Sequence, residues 1–187
     1  YLEKLGFKKL INDEAWDVIQ PLALGGVTNG VSTLELASAY GAIANKGVYT
    51  EPIFYTLVTD QYGNVLLENI PETEQVFSEE TAFLLTSAMI DVVEAGTGQD
   101  FKLSKMTLAG KTGTTTAFRD LVFAGFTPYY SAAIWAGYDV SVLLPEAERY
   151  YHKTLWRTVM NRIHEELPNK GFQVPKNIKK VTICKDS

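Results

Sequence analysis

The stretch Leu108-Ala109-Gly110-Lys111-Thr112-Gly113-Thr114-Thr115-Thr116 sets one lysine among glycines and hydroxyls, with short apolar runs on either side. It is hydroxyl-rich and bounded by glycine, so Met106 to Thr115 suits a strand better than a helix. Gly113 has no side chain, and another backbone can approach closely there. Thr112 and Thr114 place hydroxyls and main-chain N–H groups beside the positive charge of Lys111. A strand edge of this kind suits an extended peptide ending in a carboxylate.

Working outward, Leu121 to Thr127 and Ala132 to Tyr138 are two more strand-like runs, turned by Pro128-Tyr129-Tyr130-Ser131. On the other side, Ser78 can cap a helix running to about Val93, with Leu85, Met89, Val92 and Val93 as its apolar stripe and Gly96-Thr97-Gly98 as its end. Ile53 to Thr59 and Val65 to Glu68 form a hairpin through Asp60-Gln61-Tyr62-Gly63-Asn64. Ser32-Thr33-Leu34-Glu35 has capping-box spacing. Behind it Leu36, Ala37, Tyr40, Ile43 and Ala44 share a helical face, with Gly47 as terminator. Leu2 to Ile19 is expected as helical pieces broken at Gly6, recapped at Asn12 or Asp13 before Trp16, Val18 and Ile19, and stopped by Pro21. Leu22 to Gly30 is a glycine-punctuated loop. Pro145-Glu146 opens a last helix with Leu155, Trp156, Val159, Met160, Ile163 and Leu167 on one face. Pro168 closes it, and Val181 to Cys184 is expected as a short final strand. Helices thus flank three strands joined by short turns. That is an α+β arrangement, an antiparallel sheet packed with helices, rather than alternating parallel units.

At 187 residues the chain fits one ordinary domain or a large piece of one. A net charge of −5 gives no footprint for nucleic acid. The late lysines Lys170, Lys176, Lys179 and Lys180 form a solvated face. Cys184 is alone, which excludes an internal disulfide and a cysteine-rich metal site. His152 and His164 lie on one expected helix without ligand spacing and read as structural or surface residues. No metal or other cofactor is expected. No apolar run is long enough to span a membrane. The chain starts at Tyr1 without a methionine, which gives it the look of a segment cut from something longer.

Gly-Lys-Thr also occurs in phosphate-binding loops, but those need a glycine five residues before the second one. Lys105 stands there. The other use of the triplet is the Lys-Thr-Gly element of penicillin-recognising serine enzymes. The surrounding blocks resemble one such family, the transpeptidase domain of class A (bifunctional) penicillin-binding proteins. They are Ala23-Leu24-Gly25-Gly26, Gly30 to Tyr40 with Ala44-Asn45-Lys46-Gly47, Val92 to Gly98, Ala109 to Thr115, Asp120, Phe123 to Pro128 and Trp135 to Asp139. The family often carries an aromatic where Val122 stands. A larger departure is that no Ser-x-x-Lys and no Ser-x-Asn occurs anywhere in the chain. The resemblance therefore implies the C-terminal portion of a penicillin-binding/β-lactamase-like fold, incomplete at its N-terminal side. Residues 1–167 would belong to the D,D-transpeptidase domain, and 168–187 to its end and the start of a tail.

By that resemblance the activity is acyl transfer through a serine acyl-enzyme. The partners are peptidoglycan stem peptides ending in D-Ala-D-Ala, β-lactams as their mimics, and the upstream portion of the same domain. Catalytic roles fall on Lys111 and Thr114: a fixed charge from Lys111, and an oxyanion-hole N–H from Thr114. Substrate binding falls on Thr112, Gly113, Thr114 and Thr115, with the Thr112 and Thr114 hydroxyls holding the terminal carboxylate. For Arg119 and Asp120 a turn or ion-pair role and a place in the cleft both stand open. The nucleophilic serine and its lysine would come from outside the chain, which alone would be inert. The family further implies a glycosyltransferase domain and a membrane anchor upstream, and a place at the extracytoplasmic face of the bacterial membrane. The competing readings are a non-catalytic module that binds peptidoglycan peptides or β-lactams, and a serine β-lactamase relative.

Overall fold

The computed structural model describes residues 1–11, 17 and 20–182. The first helix, α1 (Thr33–Ala44), begins with the expected capping box. Glu35 N donates to Ser32 Oγ at 3.1 Å, and Ser32 N donates to the Glu35 carboxylate at 2.8 Å. Two otherwise unpaired helix-terminal donors are satisfied in this way. The helix stops where Gly47 takes φ +87°, and a Cβ there would lie 2.2 Å from the Phe77 carbonyl oxygen. Next comes β1 (Val48–Thr50), then the hairpin β2 (Leu57–Thr59) and β3 (Val65–Glu68). Asp60 organises the hairpin turn by accepting from Tyr62 N at 2.8 Å and Asn64 N at 2.9 Å. The short strand β4 (Thr73–Gln75) pairs antiparallel with β1. Neither β1 nor β4 is legible in the sequence, because both are short and β4 is polar.

Helix α2 (Glu79–Glu94) follows its Ser78 cap. The main sheet is β5 (Ala109–Thr114), β6 (Asp120–Phe126) and β7 (Ser131–Gly137), antiparallel in the order β5-β6-β7. Its register sets Gly110 opposite Gly125 and Lys111 opposite Ala124. Helix α3 (Tyr151–Ile163) is preceded by a separate 3-10 turn at Glu146–Glu148.

Alternation along the strands sorts the sheet into two faces. Phe126 and Ser131 share one face and meet α1: the Tyr40 and Phe126 rings lie 6.4 Å apart edge-on, and Ser131 Oγ donates to Ala37 O at 2.7 Å. Phe123 and Ala132 share the other face and meet α3: Trp156 stands edge-on to Phe123 at 4.8 Å, and its indole N–H donates to Ala132 O. Helix α2 lies against β5 and joins both clusters, with Ala82 beside Ala109 and Phe126, and Val93 beside Phe101 and Phe123.

Several expectations need correction. Leu2 to Ile19 is not a run of helical pieces within the described residues: one 3-10 turn, Glu3–Leu5, ends at Gly6, and Phe7 to Ile11 are non-helical. Asn12, Asp13, Trp16, Val18 and Ile19 lie outside the described residues. Asp17 is buried and ties this segment to the loop after it, accepting from Ile11 N at 2.7 Å and from Thr28 N and Oγ1 at 2.8 and 2.7 Å. On α2 the buried row is Ala82, Thr86 and Val93, while Leu85 is exposed. Small Ala82 permits close packing on the sheet, and Thr86 hides its hydroxyl by donating to Ala82 O at 2.8 Å. On α3 the buried row is His152, Trp156 and Met160, whereas Leu155, Val159 and Ile163 are exposed. A sheet of three strands is roughly 10 Å across, wide enough to cover one row of a helix. Helix α3 ends at Ile163, before Pro168, and neither Val181 nor Thr182 is in a strand; Ile183 and Cys184 lie outside the described residues.

Both histidines are buried. His164 Nε2 lies 2.8 Å from Thr127 Oγ1, and its Nδ1 lies 2.6 Å from Met160 O. Since a carbonyl only accepts, Nδ1 carries the proton and Thr127 donates to Nε2. Thr127 Oγ1 also accepts from Tyr129 N and Tyr130 N, so one hydroxyl fastens the β6–β7 turn to the end of α3. Thr127→Val, which leaves those groups unpaired, is expected to lower unfolding stability by about 1–3 kcal/mol. Urea denaturation of the variant measures it.

Candidate functional site

Strand β5 is the outer strand of the main sheet, paired on one side with β6. Ala109 and Gly110 are buried, and the strand emerges at Lys111, with Gly113 and Thr114 exposed. The two glycines of this strand differ in kind. A Cβ on Gly110 would strike Phe123 Cζ at 2.5 Å, so packing demands that glycine. At Gly113 a Cβ would meet nothing closer than Val122 Cβ at 3.6 Å, an ordinary contact. Nothing in the described chain fills the space that Gly113 leaves open.

Alternation divides the expected site residues between the faces. Lys111 and Gly113 share the face of Phe126 and α1, and Thr112 and Thr114 share the face of Phe123 and α3. The Lys111 ammonium folds back and donates to Thr112 O at 2.8 Å. Thr112 Oγ1 lies 2.7 Å from Thr97 Oγ1. A cavity of about 310 Å³ opens on this side of the strand, with Thr97, Thr112, Thr114, Phe118, Arg149 and His152 in its wall. The Arg149 guanidinium lies over the Phe118 ring at 4.2 Å and donates through Nε to Leu144 O.

Thr115, expected to bind substrate, has its hydroxyl engaged within the chain. Its hydroxyl donates to Asp120 Oδ2 at 3.0 Å and accepts from Asp120 N at 2.8 Å, so its proton is committed inside the β5–β6 turn. Asp120 Oδ1 also accepts from Trp135 Nε1 at 3.0 Å, which links the three strands of the sheet. Asp120 is therefore a turn residue. Arg119 is too, since it donates to Ser141 O at 3.1 Å rather than pairing with Asp120. Ala117 and Phe118 take φ of +60° and +52° in the same turn.

His152 reads as structural or surface in the sequence, yet it is buried in the cavity wall, and its Nδ1 has no hydrogen-bond partner among the described residues. Burial, helped by the adjacent Lys153 ammonium, holds its imidazole below the ordinary histidine range. The folded state thus takes up this proton less readily than the unfolded state. Its contribution to stability is complete above about pH 6.5, the unperturbed histidine value, and falls as pH drops through it. Melting temperatures at pH 7.5 and 5.5 are expected to show that fall, and to show less of it in His152→Gln.

A family model described as "Penicillin binding protein transpeptidase domain" matches residues 6–165. The chain belongs to that family. This transpeptidase-domain chain is 38% identical over 194 residues to "Penicillin-binding protein 1A" of Clostridium perfringens, an alignment covering 100% of the chain and 23% of the relative. It therefore spans less than a quarter of that relative's length. Among solved structures it is similar to Penicillin-Binding Protein 1A from Haemophilus influenzae, with a TM-score of 0.76, 24% identity, and 94% of this chain and 32% of that one covered. A second is penicillin-binding protein A from M. tuberculosis in an imipenem acyl-enzyme complex, with a TM-score of 0.60, 16% identity, and 84% and 41% covered. At these identities the structures speak for the fold. The expected mixed helix and antiparallel-sheet architecture is the fold of penicillin-binding transpeptidase domains. Among the described residues, no helix is long and apolar enough to cross a membrane.

Proposed function

We propose that β5 is the substrate-docking strand of a serine D,D-transpeptidase, and that the nucleophilic serine and its lysine are supplied by sequence outside residues 1–187. The observation that carries this reading is the exposed outer strand, where Lys111 sits beside Gly113 and Gly113 leaves room for a partner backbone. A stem peptide ending in D-Ala-D-Ala lies extended along β5, and the Thr112 and Thr114 hydroxyls donate to its terminal carboxylate. The serine oxygen attacks the carbonyl of the penultimate residue, and the N–H of Thr114 donates to the oxyanion that forms. Collapse of that intermediate breaks the peptide bond, releases the terminal D-Ala with a proton on its amine, and leaves an acyl-enzyme. An amine on a neighbouring stem then attacks the acyl-enzyme and restores the serine hydroxyl.

Lys111 lies across the strand from the two threonines. Its fixed positive charge lowers the energy of the incoming carboxylate and biases proton transfer toward the serine of a Ser-x-Asn element supplied from outside these residues. Thr115 shapes the turn and does not touch substrate. β-Lactams enter as mimics, a reading supported by the imipenem acyl-enzyme of the M. tuberculosis relative. The reaction needs no metal or cofactor, and the work takes place at the outer face of the cytoplasmic membrane.

The test is to treat the full-length protein with a fluorescent penicillin, digest it, and map the labelled peptide. A label on a serine outside residues 1–187 is expected. Label within those residues would mean a nucleophile of another kind, and no label would leave a non-catalytic binding module. Rapid release of the label as hydrolysed penicillin would mark a β-lactamase relative.

A further inference from the structure

The segment Gly96-Thr97-Gly98 ends α2, and its threonine is otherwise unexplained. Close approach favours glycine at both positions: a Cβ on Gly96 would strike Val92 O at 2.9 Å, and one on Gly98 would crowd it at 3.1 Å. Gly96 N and Gly98 N both donate to that carbonyl, at 3.1 and 2.9 Å, winding the chain tightly around the helix end. Phe101 N donates to Gly98 O, and the Phe101 ring is fully buried on Phe123. The turn is thus fastened to the helix on one side and to the sheet on the other. What it holds out between them is the Thr97 hydroxyl, 2.7 Å from that of Thr112 on β5. Among the described residues neither hydroxyl has another hydrogen-bond partner.

We propose that Thr97 is a positioning residue for Thr112: it donates into the Thr112 oxygen and so turns the single Thr112 proton toward the substrate carboxylate. The inference rests on the reading of Thr112 given under the proposed function. Each threonine has one proton to give. A carboxylate offers acceptors alone, so Thr112 must donate to it, and the 2.7 Å contact must then be a donation from Thr97. Such a chain of donors polarises each bond in the next, which makes Thr112 a stronger and better-aimed donor than a freely rotating hydroxyl.

The experiment uses the full-length protein and compares acylation rates for penicillin and for its methyl ester, which lacks the carboxylate charge. Thr97→Val keeps the shape of the side chain and removes the donor. It is expected to slow penicillin acylation about tenfold, the worth of one good neutral hydrogen bond. The ester rate should change less than about twofold, and Thr97→Ser should recover the parent rate, because the carboxylate-directed bond is what differs. An equal fall with both substrates would overturn the proposal and reduce Thr97 to a structural residue. So would a normal rate in Thr97→Val beside a slowed Thr112→Val, a result that leaves the site assignment standing. Unchanged rates in Thr112→Val would overturn the proposal and the carboxylate reading together.

Discussion

Lys111→Ala is expected to slow acylation of the full-length protein by penicillin by on the order of 100- to 1000-fold, the range seen when a group stabilising developing charge is removed. The side chain is exposed, and its described hydrogen bond goes to the carbonyl of the next residue, so folding does not depend on it. Melting behaviour should therefore stay near that of the parent protein. The effect is large because the neighbouring cations among the described residues are engaged elsewhere. Arg149 is held on the other side of the strand by Phe118 and Leu144, and Lys153 is paired with Asp100 at 2.6 Å. Stopped-flow measurement of the acylation rate decides the matter. A rate within about threefold of the parent, less than the worth of one good hydrogen bond, would remove Lys111 from the mechanism.

Phe123→Ala is expected to cost about 3–5 kcal/mol of folding stability, the range for deleting a buried aromatic side chain. Phe123 is fully buried and stacks on Phe101 with ring centroids 3.7 Å apart, while Trp156 closes the cluster edge-on. Its ring also lies over the cross-strand pair Gly110 and Gly125, where an added Cβ would come within 2.5 and 2.7 Å of it. Those two glycines form a floor that no other residue type can supply without moving the ring. The lost side chain would leave a void bounded by rigid strands and two aromatic rings, which cannot easily collapse. Urea unfolding of the variant tests this, and a loss below about 1 kcal/mol would mean that the cluster is not the core it forms here.

The candidate site was legible where chemistry and spacing coincide. Lys111, Thr112, Gly113 and Thr114 stand in one short strand, and the blocks around them carry the family. Thr115 looked like one more hydroxyl of the same row. Its commitment to Asp120 depends on how the β5–β6 turn closes, which residue type alone does not reveal. Thr97 was hidden for a similar reason: its partner lies 15 residues away.

Elements governed by neighbours in the chain could be read directly from residue order. The capping box at Ser32 and Glu35, the Ser78 cap, the Asp60 turn and the three strands of the main sheet all rest on short-range hydrogen bonding and a period of two or 3.6 residues. Burial was a different matter. Whether Leu85 or Thr86 faces the sheet, whether Leu155 or His152 is covered, and whether His164 finds Thr127 across 37 residues are set by partners distant in sequence. A hydrophobic count favours the leucines, but a narrow sheet covers one row of each helix. The row it covers is the one whose polar members can be satisfied or tolerated there.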